Sequence, residues 1–295
     1  RIEDGATDAR CRAGQLMAAE GKAVAAVEML AGGRTGTNPD CELLLIEIVA
    51  RRKGPAAASK RAGRMSQGHP TYYGRAIAAV VNGARERGNI LGAWKIVERL
   101  LSQDFPPITQ LPILQAAVES APGDEELALV RPLIERAVES DPNSAFIRSI
   151  EGMFFERSGA LDQAKASYRL ALEAEPNRIS PLLRLARITA ASEPQGAIKL
   201  IERALTQPET SANPFDSGLF LAAISELPES SEVEALLESA LELAPASGPI
   251  AFRLGTMLEA SGGEDARIVA LARRAIRFQQ GQEAVDLRDR VETRL

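Results

Sequence analysis

AFIRSIEGMFFERSGALDQAKASYRLALEAEP, residues 145 to 176, holds two runs of helical periodicity separated by Ser158-Gly159. Gly152 and Phe155 share one face of the first run. Ala164, Tyr168 and Ala171 recur at four and three residues on the second, which is the inward stripe of an amphipathic helix. Pro176 stops that helix, because proline brings no N–H and clashes with the preceding turn. Small residues at 152, 164 and 171 permit close approach of two helices, and the bulky Phe155 and Tyr168 fill the space between them. The stretch is predicted to be a helical hairpin.

Small, bulky and small positions in a pair of helices closed by a proline resemble the tetratricopeptide repeat, a unit of about 34 residues. Pro142 precedes Pro176 by 34 residues, and Ile134 and Ala137 repeat the ending of the unit before it. Farther on, Ala186, Ala197, Ile201 and Ala204 carry the pattern, as do Leu237, Ala240 and Pro245. Upstream, Ala93, Val97 and Leu100 stand where Ala164, Tyr168 and Ala171 stand, and Glu86-Arg87-Gly88 parallels Glu156-Arg157-Ser158-Gly159. The resemblance is specific over 111–279, moderate over 71–102 and weak before that. One departure is Arg148, where the family has a large residue. The fold class it implies is all-α: an α-α superhelix, or TPR-like solenoid, of about seven helical hairpins plus a C-terminal capping helix over 283–295.

Composition agrees with that class. The 295 residues are 45% hydrophobic but only 4% aromatic, so the core must come from small and aliphatic side chains on closely packed helices. LLLIEIVA at 43–50 is too short to span a bilayer, which takes roughly 20 apolar residues, and Glu47 interrupts it. The first residue is Arg1, so an upstream signal, anchor or further domain is compatible with the sequence, and bacterial periplasm and cytoplasm both stay open. Residues 1–105 carry a net charge of +5 and residues 106–295 a net charge of −10. This division predicts a degenerate, basic N-terminal domain over 1–105 and an acidic domain of regular repeats over 106–295.

Along the chain, a helix is expected at about 6–20, and Ala23, Val27 and Leu30 make the stripe of a second. A Gly-rich turn then leads to Asp40, the expected N-cap of a helix through Arg52. Further helices are expected near 55–66, 71–87, 90–102, 108–120, 124–140, 181–191, 195–206, 216–227, 230–243, 248–261 and 264–279. Trp94 lies beside an inward stripe and is expected to pack. Loops at 102–107 and 207–216 disturb the spacing.

No catalytic constellation emerges. His69 sits in a Gly-His-Pro turn with no second ligand, two cysteines make no zinc site, and 31–36 lacks the Gly-Lys-Ser/Thr ending of a phosphate loop. No catalytic residue, metal or cofactor is assigned. Cys11 and Cys41 read most simply as buried thiols; at about one repeat apart they also suit a disulfide between neighbouring hairpins. The cations Arg51, Arg52, Lys53, Lys60, Arg61 and Arg64 suit an acidic protein, anionic lipid or nucleic acid, and equally a solvated helix face. No aromatic platform accompanies them, which disfavours nucleic acid.

The resemblance implies a binding scaffold, with a partner peptide or helix received along outward positions of the first helix of each pair. Those positions are Ser149, Met153 and Glu156 in the central unit, Arg75, Ala78, Asn82 and Arg85 upstream, and Leu183 and Arg187 downstream. An amide such as Asn82 can bind a peptide backbone, and Arg75 and Arg85 can pair with acidic groups. With Ala78 at one expected basic position, the family's full carboxylate clamp is absent. Degenerate Ala-, Leu- and Arg-rich arrays resemble those of bacterial envelope and polysaccharide-export assemblies. A regulatory domain of a larger enzyme or membrane protein is the alternative, and end-to-end association into a homo-oligomer is compatible with either.

Overall fold

The computed structural model describes residues 11, 13, 14, 16–18, 20, 22–31, 39–103, 105–207, 215–278 and 281–294. Every regular element among them is helical, as the periodicity predicts. The Gly-rich turn at 32–38, most of the 207–216 loop and parts of the expected helix at 6–20 lie outside the described residues. No described helix is long and apolar enough to cross a membrane.

The chain divides into two compact units. In the first, residues up to Ala174 form α1 (Ala23–Ala31), then four hairpins. These are α2 (Pro39–Lys53) with α3 (Pro55–Gly68), α4 (Tyr73–Glu86) with α5 (Ile90–Leu101), α6 (Pro107–Ser120) with α7 (Asp124–Ser140), and α8 (Ala145–Arg157) with α9 (Leu161–Ala174). Each first helix packs on its own partner and on the next first helix, so α4 lies against both α2 and α6. Glycine permits this. A Cβ on Gly83 would meet the Glu47 carbonyl and stand 2.7 Å from Ala50 Cβ, and one on Gly74 would meet the Thr109 carbonyl. Gly88 and Gly159 make the turns inside two of the hairpins with φ of 77° and 75°, a left-handed conformation that costs glycine little. The charge boundary expected between 105 and 106 falls inside this unit, where α5 packs on α6.

The second unit, residues from 175 onward together with 19–21, contains three hairpins and a cap. They are α10 (Ile179–Thr189) with α11 (Pro194–Leu205), α12 (Ser217–Ile224) with α13 (Ser231–Leu243), α14 (Gly248–Ser261) with α15 (Asp265–Arg277), and α16 (Gly281–Glu292). The cap presents Ala284, Leu287 and Val291 to the core, all fully buried. That covers the apolar face which the last hairpin of a stacked array would otherwise expose.

In the central hairpin, Tyr168, Ala164 and Ala171 are fully buried. A Cβ on Gly152 would stand 2.6 Å from Tyr168 Cδ1, so the small residue is what lets the ring in. Phe154, 3% exposed, is the deeper of the two phenylalanines. Phe155 is half-buried, with its ring 5.6 Å from that of Phe154. Trp94 is buried as expected. Side-chain caps begin several helices: Asn89, Ser144, Asp216, Ser230 and Ser247 each accept from the backbone N–H three residues on. The helix expected to follow Asp40 already starts at Pro39, where a missing N–H costs nothing.

Cys11 and Cys41 are joined in a disulfide with Cα atoms 5.3 Å apart, which corrects the simpler expectation of two free thiols. Around it Ala18, Ala26, Leu30, Leu45 and Ile48 make a local core, so the bond fastens the N-terminal segment to α2.

Candidate partner-binding surface

Helix α4 owes its position to its glycines and places Arg75, Ala78, Asn82 and Arg85 along one side at spacings of three, four and three. Asn82 and Arg85 are exposed, and Arg75 and Ala78 are half-buried. Arg75 lies over the Tyr72 ring with its guanidinium carbon 4.9 Å from the centroid, a cation–π contact that orients the fork. Arg85 approaches Glu119 of α6 at 3.8 Å, and Glu119 accepts from Gln115 at 3.1 Å. The stripe therefore continues from one first helix to the next as Asn82, Arg85, Glu119 and Gln115. Sequence reasoning missed the last two; their i,i+4 spacing on an amphipathic helix was the available signal.

The other residues expected on this surface are placed differently. Ser149 and Met153 are buried at 4% and 3% exposure, and Leu183 is fully buried, so none of these presents an outward side chain. Glu156 is half-buried and accepts a hydrogen bond from the hydroxyl of Tyr168, which ties it to the interior of its own hairpin. Arg187 is half-buried on α10 in the second unit. Within the first unit the structure thus brings together Arg75, Asn82 and Arg85 on α4 and places Ser149, Met153 and Glu156 on α8.

Two arginines at the ends of first helices do related work. Arg157 donates to the carbonyls of Glu119 and Ala121, at 3.1 and 2.5 Å, at the end of α6. Arg87 donates to the carbonyls of Arg51 and Arg52 at the end of α2, the first at 3.3 Å. The last carbonyls of a helix have no partner within it and carry its negative pole, so a guanidinium there both fills and neutralises them. These are the arginines that the parallel between 86–88 and 156–159 aligns. They fix the spacing of consecutive first helices and hence of the stripe. Among the described residues no cluster of His, Cys, Asp and Glu suited to a metal is found.

The chain matches no protein-family model, and no curated protein matches it. Among solved structures it is similar to a chain of the crystal structure of the APC/C hetero-tetramer Cut9–Hcn1. The TM-score is 0.51 at 14% identity, over 95% of this chain and 55% of that one. It is also similar to an IFIT1 monomeric mutant with Gppp-AAAA, at a TM-score of 0.43 and 14% identity, over 88% of this chain and 67% of that one. Both are TPR-repeat proteins. At this identity the first likeness shows the fold: a TPR-like array of helical hairpins with degenerate repeats. The chain spans 55% of the length of that protein.

Proposed function

We propose that this chain is a non-catalytic protein-interaction scaffold or adaptor that receives a partner peptide or helix along the first helices of its hairpins. The observation that carries the reading is the stripe on α4, where Asn82 offers an exposed amide between Arg75 and Arg85. An amide both donates to and accepts from a peptide backbone, and the flanking guanidinium groups select acidic side chains or a terminal carboxylate. Ser149, Met153 and Glu156 belong to α8: the first two are buried, and Glu156 accepts from the Tyr168 hydroxyl of its own hairpin. Arg187 is assigned to a contact made by the second unit. Residues 1–105, with their positive balance, are the part that meets an acidic partner; residues 106–295 carry the regular repeats.

The setting we favour is a bacterial envelope assembly such as one for polysaccharide export. The Ala-, Leu- and Arg-rich composition supports it, and the Cys11–Cys41 disulfide suits an oxidising compartment. The same surface equally serves a regulatory domain within a larger enzyme or membrane protein. An affinity pull-down from the source cell, comparing the full chain with Arg75→Glu/Arg85→Glu and with Asn82→Ala, tests the stripe. Loss of a partner from both variants, with helical circular dichroism unchanged, is expected. An identical set of partners removes the stripe as the site.

A further inference from the structure

We propose that the outward face of α3 and α5 docks on an anionic lipid surface. These are the second helices of consecutive hairpins and they pack side by side within the first unit. Lys60 and Arg64 on α3, and Lys95 and Arg99 on α5, are all exposed, and each pair is four residues apart, so it projects from one side of its helix.

Among the described residues these four cations carry no ion pair. Arg51, Arg61, Arg85 and Arg148 in the same unit pair with carboxylates, and Arg87 and Arg157 bind helix-end carbonyls. Among the described residues no acidic group pairs with Lys60, Arg64, Lys95 or Arg99. Helix α3 contains no acidic residue and α5 contains only Glu98. Four exposed positive charges on two adjoining helices, with no described acidic partner, leave a field that an anionic surface can satisfy.

The same face carries exposed hydrocarbon. Ile90 and Leu91 open α5 at 40% and 64% exposure, and Leu91 stands in line with Lys95 and Arg99 at intervals of four residues. Cations beside protruding aliphatic side chains are the combination that an interfacial surface uses: charge attracts the headgroups and the apolar groups enter the acyl boundary. A single-stranded nucleic acid would need aromatic platforms here, whereas Trp94, the aromatic residue of α5, is buried at 4% exposure. Peptide partners take grooves or strand edges, and this face is the outer side of two helices. Its residues are on α3 and α5, whereas Arg75, Asn82 and Arg85 are on α4.

The test is co-sedimentation of the full chain with vesicles of phosphatidylcholine alone or mixed with phosphatidylglycerol, at low and at high salt. Binding only to the phosphatidylglycerol vesicles, lost at high salt, is expected. Lys95→Glu/Arg99→Glu and Lys60→Glu/Arg64→Glu should each weaken it by about tenfold or more, and Leu91→Ser by a few-fold, with unchanged circular dichroism in every variant. Absence of binding at low salt, equal binding to neutral vesicles, or indifference to both double reversals overturns the proposal. Retention of single-stranded RNA through these residues without vesicle binding also overturns it, in favour of a nucleic-acid surface.

Discussion

Arg274 donates through both Nε and Nη2 to the carbonyl of Pro245, at 2.8 and 2.6 Å. Pro245 ends one hairpin, and Arg274 lies in the last turn of the second helix of the next, so the bond ties a closing proline to the following unit. Arg203 makes the same connection to the carbonyl of Pro176. At Pro142 the carbonyl is instead taken by Arg148, which donates from Nε at 2.8 Å and pairs with Glu151 at 2.9 Å. The proline that marks the repeat thus stops one helix and presents a carbonyl that an arginine of the next hairpin fills. Replacing Arg274 with Ala should cost about 1 kcal/mol, the usual worth of a charge-assisted bond at a partly exposed site. Urea unfolding of R274A against R274K measures it, and lysine, with no fork, should restore only part.

The contact between Gly152 and Tyr168 leaves no room for a methyl group. Gly152→Ala should destabilise by about 1–3 kcal/mol, as overpacking does in a filled core. Gly159→Ala should also destabilise, but through backbone strain at φ 75°, since open space surrounds that position. A paired denaturant titration separates the two causes: adding Tyr168→Phe leaves the clash in place, whereas Tyr168→Leu relieves it at residue 152 and leaves residue 159 unaffected.

Reduction of the Cys11–Cys41 bond should release the N-terminal segment. A disulfide that closes a loop of this size contributes about 2–4 kcal/mol, chiefly through the unfolded chain. Differential scanning with and without a reductant should show a lower transition in the reduced protein, and Cys11→Ser should reproduce it without reductant.

Glu259 binds α14 to the cap. It accepts from Arg290 and Arg294 at 2.9 and 2.8 Å, and the Arg290 hydrogen bond is the main cause that holds its carboxyl below the ordinary value of 4.5. Burial pushes the other way, less strongly than that bond, and the charge of both arginines and the Arg294 hydrogen bond add to the lowering. A depressed carboxyl stabilises the fold fully above its ordinary value, and the gain disappears as pH falls through the lowered one. The cap should therefore loosen below about pH 4.5, and Glu259→Gln should remove that dependence. Hydrogen exchange in 281–292 at descending pH measures both.

The hairpins were legible because their determinants are local. Gly152, Tyr168 and Pro176 lie within one unit, and Gly88 and Gly159 mark turns that sequence alone identifies. The surface was less legible because burial of a first helix depends on its neighbours. Helix α4 is flanked by both α2 and α6, so positions that a single hairpin leaves outward can be covered by the adjoining units. Ser149, Met153 and Leu183 were assigned outward from one hairpin's pattern and are buried. Asn82 and Arg85 stay exposed and Arg75 half-buried, while the close contacts of α4 with its neighbours are made at Gly74 and Gly83. Lys60, Arg64, Lys95 and Arg99 are visible in the sequence as charges, but that no described acidic residue pairs with them is a fact of packing that no spacing discloses.

Site-specific photo-crosslinking in the source cell tests the partner surface most directly, with a photoreactive amino acid placed at Asn82 and, as a control, at Arg169, an exposed position on α9. A stripe that receives a partner gives a discrete protein adduct from position 82 that position 169 lacks. No adduct at 82, or the same adducts from both positions, would contradict it.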